Sequence, residues 1–253
     1  MAGYIIQVKD LVSKYGQKVV HRGLNLGIKE GELYAIVGGS GAGKSTLLKT
    51  LLLLKKADGG KILFKGKDIS NLSEKEIEDI KKRIGVMFQF STMLSSLTVG
   101  QNIIYVIKKR YSIDYKTALD MAKLKLKLVG LSMDTFYMYP SELSGGMKKK
   151  AALAVAMSTD PDILFLDEPT SGLDPISAEE FDKLVRTLVD TTGTTIVQIT
   201  HDLGSLMFVD TVAVISKGLV VYEGNPQNLT NVNDDWIQSL TNTTRFRRLL
   251  DGK

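Results

Sequence analysis

The sequence predicts an α/β fold. A strand, a glycine-rich loop and a helix form its frame, with antiparallel β structure before them and a helix-rich insertion after them. Three observations predict this. The apolar run Leu33 to Val37 leads into Gly38-Gly39-Ser40-Gly41-Ala42-Gly43-Lys44-Ser45-Thr46, and a leucine-rich stretch to Leu54 follows. A second apolar run, Ile163 to Leu166, ends on the carboxylate pair Asp167-Glu168. Between them, residues from about 99 to 153 look mostly helical, as in Tyr115 to Leu128, where apolar residues and lysines recur at helical spacing. The 253 residues suffice for one such domain with an insertion, and 43% hydrophobic and 24% charged residues are ordinary for a globular chain.

Taken in order, Tyr4 to Val37 reads as short strands broken at Lys14-Tyr15-Gly16 and at Lys29-Glu30-Gly31-Glu32. Asp58-Gly59-Gly60 reads as a turn, Lys61 to Phe64 as a strand, and Lys65-Gly66-Lys67-Asp68 as another turn. Ser73 with Glu76 forms a capping box that opens a charged helix to about Lys82, and Ile84 to Phe88 is a short buried strand ending at Gln89. Pro140 and Ser141 interrupt the helix-rich region, and Ser144-Gly145-Gly146 opens a new helix from Met147 to about Met157. A helix from Ala178 to Val189, a β-branched strand from Thr194 to Thr200, and a hairpin of Val212–Ile215 with Leu219–Tyr222 around Lys217-Gly218 complete the domain. The polar tail from Asn228 carries apolar knots at Trp236-Ile237 and Leu249-Leu250. There is no internal repeat.

With no cysteine, a disulfide framework and a thiolate metal site are both excluded. Met1 to Asp10 meets charge at Lys9 and Asp10 too early for a secretory signal, and no run approaches the ~18 apolar residues of a membrane span. A soluble protein able to sit against a membrane protein is expected. The net charge of +5 comes from clusters at Lys81-Lys82-Arg83, Lys108-Lys109-Arg110, Lys148-Lys149-Lys150 and Arg245-Arg247-Arg248. They lack the interleaved aromatics of single-strand binders and read as solvated helix faces, so no nucleic-acid partner is expected.

Gly38 to Ser45 fits G-x-x-x-x-G-K-[ST], the P-loop spacing. The glycines let successive N–H groups turn toward phosphate oxygens, and the following helix aims its positive end at the same place. Lys44 should neutralise the β- and γ-phosphates and the Ser45 hydroxyl should ligate Mg²⁺. The strand Ile163 to Leu166, expected beside the P-loop strand, brings Asp167 to the metal, and Glu168 can polarise an attacking water as general base. Leu143-Ser144-Gly145-Gly146-Met147 builds a second anion site from backbone N–H groups. Since the P-loop already cradles one nucleotide, the second must serve another.

With these motifs the chain resembles the ATP-binding subunits of ABC transporters, whose L-S-G-G-Q signature closes over ATP held by a partner subunit. The resemblance covers about residues 4 to 227. It implies ATP and Mg²⁺ as cofactors and a P-loop NTPase core with an antiparallel β subdomain and an inserted helical subdomain. The expected limits are an ABC ATPase domain at 1–227, its helical insertion at about 90–155, and a C-terminal extension at 228–253. Tyr15 matches the aromatic that stacks on adenine, and Gly38, Gly39, Ser40, Gly41, Ala42, Gly43, Lys44, Ser45 and Thr46 match the nucleotide loop. Gln89 matches the glutamine that reaches Mg²⁺ and the attacking water, beside Ser45 and Asp167 as metal residues. Ser144, Gly145, Gly146 and Met147 match the signature acting across the dimer. Asp174 in Ser171-Gly172-Leu173-Asp174 matches the D-loop, and His201 the switch histidine. His21 has no such support.

Details of Phe88 to Val99, Met147 in place of Gln, and Asp174-Pro175-Ile176 are similar to the ATPases of Mla/Mce-type phospholipid transport systems. That branch implies a homodimer at the cytoplasmic face of the inner membrane. Its partners are integral permease subunits, a lipid-binding MCE protein and a small STAS-domain protein. The alternatives are another ABC importer, a lipoprotein exporter, or a soluble ABC ATPase in assembly or repair. Val155 stands where many relatives carry Arg, and Lys148-Lys149-Lys150 replaces an Arg-richer run; neither is expected to touch the chemistry. Trp236, Ile237 and Leu240 at helical spacing would be costly to expose, which suggests that the tail reaches a partner subunit.

Overall fold

The computed structural model describes residues 3–70, 72–89, 93–242 and 246. In a first sheet, β1 (Tyr4–Tyr15) pairs antiparallel with β2 (Lys18–Lys29) and with β4 (Gly59–Phe64), and β4 pairs with β5 (Lys67–Asp68). The breaks fall where expected, at the turn after Tyr15 and between Lys29 and Leu33. The buried residues Val8 and Leu11 are three apart, so an unbroken pleat would put them on opposite faces. A register shift between them, with Asp10 at φ 50°, restores the apolar face. The expected turn at Asp58-Gly59-Gly60 lies earlier, since both glycines already belong to β4. The second turn is shorter than expected: Lys65 (φ 46°) and Gly66 (φ 78°) form it alone, a backbone suited to a two-residue hairpin, and Lys67-Asp68 returns as strand.

The second sheet comprises β3 (Leu33–Gly38), β6 (Ile84–Met87), β7 (Ile163–Asp167), β8 (Thr195–Ile199), β9 (Thr211–Ser216) and β10 (Leu219–Gly224). Its order is β10-β9-β3-β8-β7-β6, parallel throughout except for the β9–β10 hairpin. This corrects one expectation. The strand ending in Asp167 does not lie beside the P-loop strand; β8 runs between them. The central strand β3 is buried on both sides. Tyr34 and Ile36 face a core shared with the first sheet and α1 (Lys44–Leu51), whereas Leu33, Ala35 and Val37 face the helices behind. Such two-sided burial explains its unbroken apolar run.

Helix α1 stops at Leu51, short of the expected Leu54, because Leu53 turns to φ 56° and the Leu54 N–H bonds back to the Lys49 carbonyl. The Ser73–Glu76 capping box does open α2 (Glu74–Lys81). The helix-rich region resolves into α3 (Val99–Arg110), α4 (Tyr115–Leu128) and α5 (Gly145–Ala156), joined by 3₁₀ turns and packed around Ile103, Ile107, Ala122 and Leu126. Helix α6 (Pro175–Thr192) is longer than expected at both ends. Asp174 caps it by accepting from the Ile176 and Ser177 N–H groups, Pro175 takes its first position, and Gly193 ends it at φ 68°.

The tail folds onto its own chain. Leu229, Ile237 and Phe246 are buried in the core under α6, and Ile237 belongs to α7 (Asp235–Thr241). Burial of Trp236 and Ile237 therefore needs no partner subunit, which removes that argument for a tail reaching across. The Leu240 side chain, the Leu249-Leu250 knot, the Arg245-Arg247-Arg248 cluster and the Phe90-Ser91-Thr92 part of the Phe88–Val99 segment lie outside the described residues. Among the described residues no helix is long and apolar enough to cross a membrane.

Candidate functional site

The parallel strands all deliver their carboxyl ends to one edge, the place where open α/β sheets build sites. There β3 opens into the loop Gly39 to Gly43 and α1 begins at Lys44. Gly43 sits at φ 110°, and a Cβ on it would stand 2.6 Å from His21 Nε2, so only glycine fits. Gly38 is equally constrained, since a Cβ there would lie 2.3 Å from the Ile215 carbonyl oxygen. No side chain caps α1, which leaves its first N–H groups aimed out of the helix end at the loop. Lys44 bends back over the loop and its Nζ donates to the carbonyls of Gly38 (2.7 Å) and Gly39 (3.2 Å). Burial lowers the Lys44 pKa, and the charges of Glu168 and Asp167 oppose that fall. A ring of uncapped N–H groups around one cation is a cradle for a polyanion.

Beside it opens a cavity of about 650 Å³ lined by Gly41 to Thr46, Tyr15, Lys18, Val19, Val20, Arg22, Lys217 and Gly218. The Tyr15 ring is half exposed, with the Lys55 ammonium 5.2 Å from its centroid. His21 lies behind the loop, fully buried, and packs against Gly43; burial lowers its pKa.

The next strand ends bring Asp167, Glu168 and His201 together. Asp167 closes β7, and burial raises its pKa, helped by the charge of Glu168 and opposed by Lys149 and Lys44. Glu168 follows in the left-handed region at φ 48°, its N–H bonded to the Ile199 carbonyl at 2.8 Å. His201 follows the strand between, and its Nδ1 lies 2.7 Å from Glu168 Oε2. The histidine is 71% exposed and the glutamate 15%, so the carboxylate is held inside while the ring stays open to an incoming group. Gln89, past the end of β6, lines a separate cavity of about 440 Å³ with Gly145, Lys149, Ser171 and Gly172.

The Ser144-Gly145-Gly146-Met147 turn is not at this loop. Ser144 caps α5, its Oγ accepting from the Met147 N–H at 3.3 Å, and Ser144, Gly146 and Met147 line another cavity with Lys150, Ser177 and Glu180. Asp174 is occupied in capping α6, with its side chain accepting from Ser177 Oγ at 2.6 Å.

Sequence reasoning missed several participants. Lys149 was expected to stand apart from the chemistry; instead its Nζ donates to the Glu168 carbonyl at 3.2 Å and to Ser171 Oγ at 3.3 Å. Lys18, Arg22 and Lys217 add positive charge around the loop cavity. Trp236 packs on the loop itself: a Cβ on Gly39 would lie 3.2 Å from its Nε1. Asp182 is buried on α6 below the Glu168–His201 pair, accepting from Ser205 Oγ at 2.8 Å and pushed up to about 7 by burial. Its signal was legible, a carboxylate inside the apolar stripe Ala178, Phe181, Val185, Leu188 and Val189.

Residues 21–171 match the family model described as ABC transporter. The chain belongs to the ABC transporter family. It is an ABC ATPase, with the ATP-binding cassette of that family. It is 36% identical over 231 residues to the intermembrane phospholipid transport system ATP-binding protein MlaF of Haemophilus influenzae, a match covering 91% of this chain and 87% of that protein. It is 38% identical over 221 residues to the methionine import ATP-binding protein MetN of Rhizobium johnstonii, covering 87% of this chain but only 60% of that relative's length. Among solved structures, CbiO1 of Clostridium perfringens, part of the ABC transporter complex CbiONQ, superposes with a TM-score of 0.84 at 31% identity over 98% of this ABC ATPase and 99% of that chain. The dimeric cassette MJ0796 in a post-hydrolysis state with ADP and Pi gives 0.78 at 29% identity, covering 87% and 98%.

Proposed function

We propose that this ABC ATPase powers phospholipid transport from the cytoplasmic face of the inner membrane, working as a homodimer against integral permease subunits. The similarity to MlaF over 87% of that protein's length carries the reading. An MCE lipid-binding protein and a small STAS-domain protein are its expected accessory partners. We take 1–227 as the ATPase domain, with its helical insertion at 90–155 and 228–253 as an extension.

The residues fit Mg·ATP. The uncapped end of α1, the arched Lys44 and the cationic cavity walls suit a triphosphate, and Tyr15 offers an aromatic face for the adenine. Ser45, Gln89 and Asp167 would hold the Mg²⁺, which draws negative charge from the β- and γ-phosphates. Glu168 would accept the proton of the attacking water, and His201 fixes that carboxylate through the 2.7 Å contact. Ser144, Gly146 and Met147, lining a cavity apart from the P-loop, would with Gly145 receive a second copy's nucleotide, with Asp174 along the seam.

The MetN similarity supports a second reading, an ATPase of another importer. Purification of the tagged chain from native membranes separates them. Co-purification with a permease, and ATP turnover by that complex rising with added phospholipid and unmoved by methionine, supports the first. Stimulation by methionine supports the second. A preparation with no permease attached overturns both.

A further inference from the structure

Glu168 carries two unusual features besides its carboxylate. Its backbone sits at φ 48°, the left-handed region that a residue with a side chain enters only where its surroundings impose it. Its carbonyl oxygen accepts from three donors on two different elements. Ser171 supplies its N–H at 3.2 Å and its Oγ at 2.8 Å, and Lys149 supplies its Nζ at 3.2 Å. The same lysine also reaches Ser171 Oγ at 3.3 Å, so the three groups close a small ring. The next lysine of the run does something else: Lys150 pairs at 3.9 Å with Glu180.

Lys149 belongs to α5, whose first turn is Gly145-Gly146 capped by Ser144. Glu168 belongs to the end of β7. The lysine is therefore the side-chain link from the helix that presents the signature to the peptide that orients the catalytic carboxylate. Placing a half-buried ammonium on a backbone carbonyl costs desolvation, which lowers its pKa, and the nearby charges of Glu168 and Asp167 offset that cost.

We propose that Lys149 is a positioning residue for Glu168, carrying the placement of the signature helix to the carboxylate that meets the attacking water. This rests on the reading of Glu168 as general base. When a second copy's nucleotide seats on Ser144 and Gly146, the shift of α5 pulls the Glu168 peptide through Lys149, so one site senses the occupancy of the other.

The test is steady-state ATP turnover of the full chain in its membrane complex, with ATP affinity measured separately by a fluorescent ATP analogue. Lys149→Met keeps the length and removes the donor. It should lower kcat about tenfold, the rate equivalent of one lost hydrogen bond from a charged group, with ATP affinity and melting temperature unchanged. Lys149→Arg, which can donate to both oxygens, should restore most of the rate. Ser171→Ala, opening the other side of the ring, should lower kcat in the same way and decides the matter if Lys149→Met fails to fold. Wild-type turnover in Lys149→Met or Ser171→Ala overturns the proposal. So does a loss of affinity that matches the loss of rate, or a failure of arginine to rescue. Glu168→Gln separates the two ideas. If it keeps turning over, the general-base reading falls. If it is inactive while Lys149→Met is not, the role of Lys149 alone falls.

Discussion

Asp182 makes the pH dependence of stability calculable. Asp182 is 2% exposed, one carboxyl oxygen accepts from Ser205 Oγ, and the other has no hydrogen-bond partner among the described residues. Burial is the main reason its pKa stands near 7 rather than 3.8, with the charges of Asp202 and Glu179 adding to the rise and Ser205 opposing it. Above pH 4 the unfolded chain has released this proton while the folded chain still holds it. The folded state therefore loses stability as pH rises, by about 1.4 kcal/mol per unit, until the folded pKa near 7 is passed. Over roughly three units the loss approaches about 4 kcal/mol as an upper figure. Asp182→Asn keeps an oxygen for Ser205 and cannot titrate. Its buried amide N–H₂ costs about 1–3 kcal/mol at every pH. The stability difference between mutant and wild type should thus swing in the mutant's favour by several kcal/mol between pH 4.5 and pH 8. Urea unfolding of both proteins across that range reads the swing directly, since titrations not coupled to Asp182 cancel in the difference. A difference that stays flat within about 1 kcal/mol would refute the reasoning, showing that Asp182 is already ionised in the folded state at acid pH.

Other outcomes follow from single contacts. The chain has one tryptophan, Trp236, and it packs on Gly39, so Mg·ATP should change intrinsic fluorescence. Lys44→Ala should abolish that change by losing the nucleotide, whereas Trp236→Phe should silence the signal and still bind a labelled ATP analogue. Fluorescence indifferent to saturating ATP in the wild type would contradict the placement of α7 on the loop. Ile237→Ala removes a fully buried side chain from the chain's own core and should cost about 2–4 kcal/mol in urea unfolding, with no dependence on protein concentration. A cost that appears only at concentrations where dimers form would return the tail to the partner subunit.

The places of the P-loop, the Asp167-Glu168 pair and His201 at strand ends were legible because each follows an apolar run directly. The helix-rich region was legible through its periodicity. What escaped was set by packing between distant segments. Nothing local in Ile163 to Leu166 says whether its neighbour is β3 or β8, since every parallel strand in a two-sided core reads as an apolar run. The ends of β1 and β2 were legible at their turns, but the register shift between Val8 and Leu11 was not, because it depends on the pairing with β2. The caps of α6 were masked because Asp174 and Pro175 also belong to the pattern read as the D-loop. Lys149 looked like part of a solvated charge run, and only the approach of α5 to β7 gives it the Glu168 carbonyl. Asp182 was the one readable clue passed over, a carboxylate in a stripe that should be apolar.

The central claim, that this ABC ATPase hydrolyses ATP with Glu168 in a site completed by a second copy, is tested most directly by the mass of Glu168→Gln in solution. Light scattering with and without Mg·ATP, alongside a turnover assay, gives the answer. The account predicts no turnover, the mass of one chain without nucleotide, and the mass of two chains with it, because binding closes the dimer and hydrolysis cannot reopen it. A mutant that still hydrolyses ATP, or that stays a single chain with ATP bound, would contradict it.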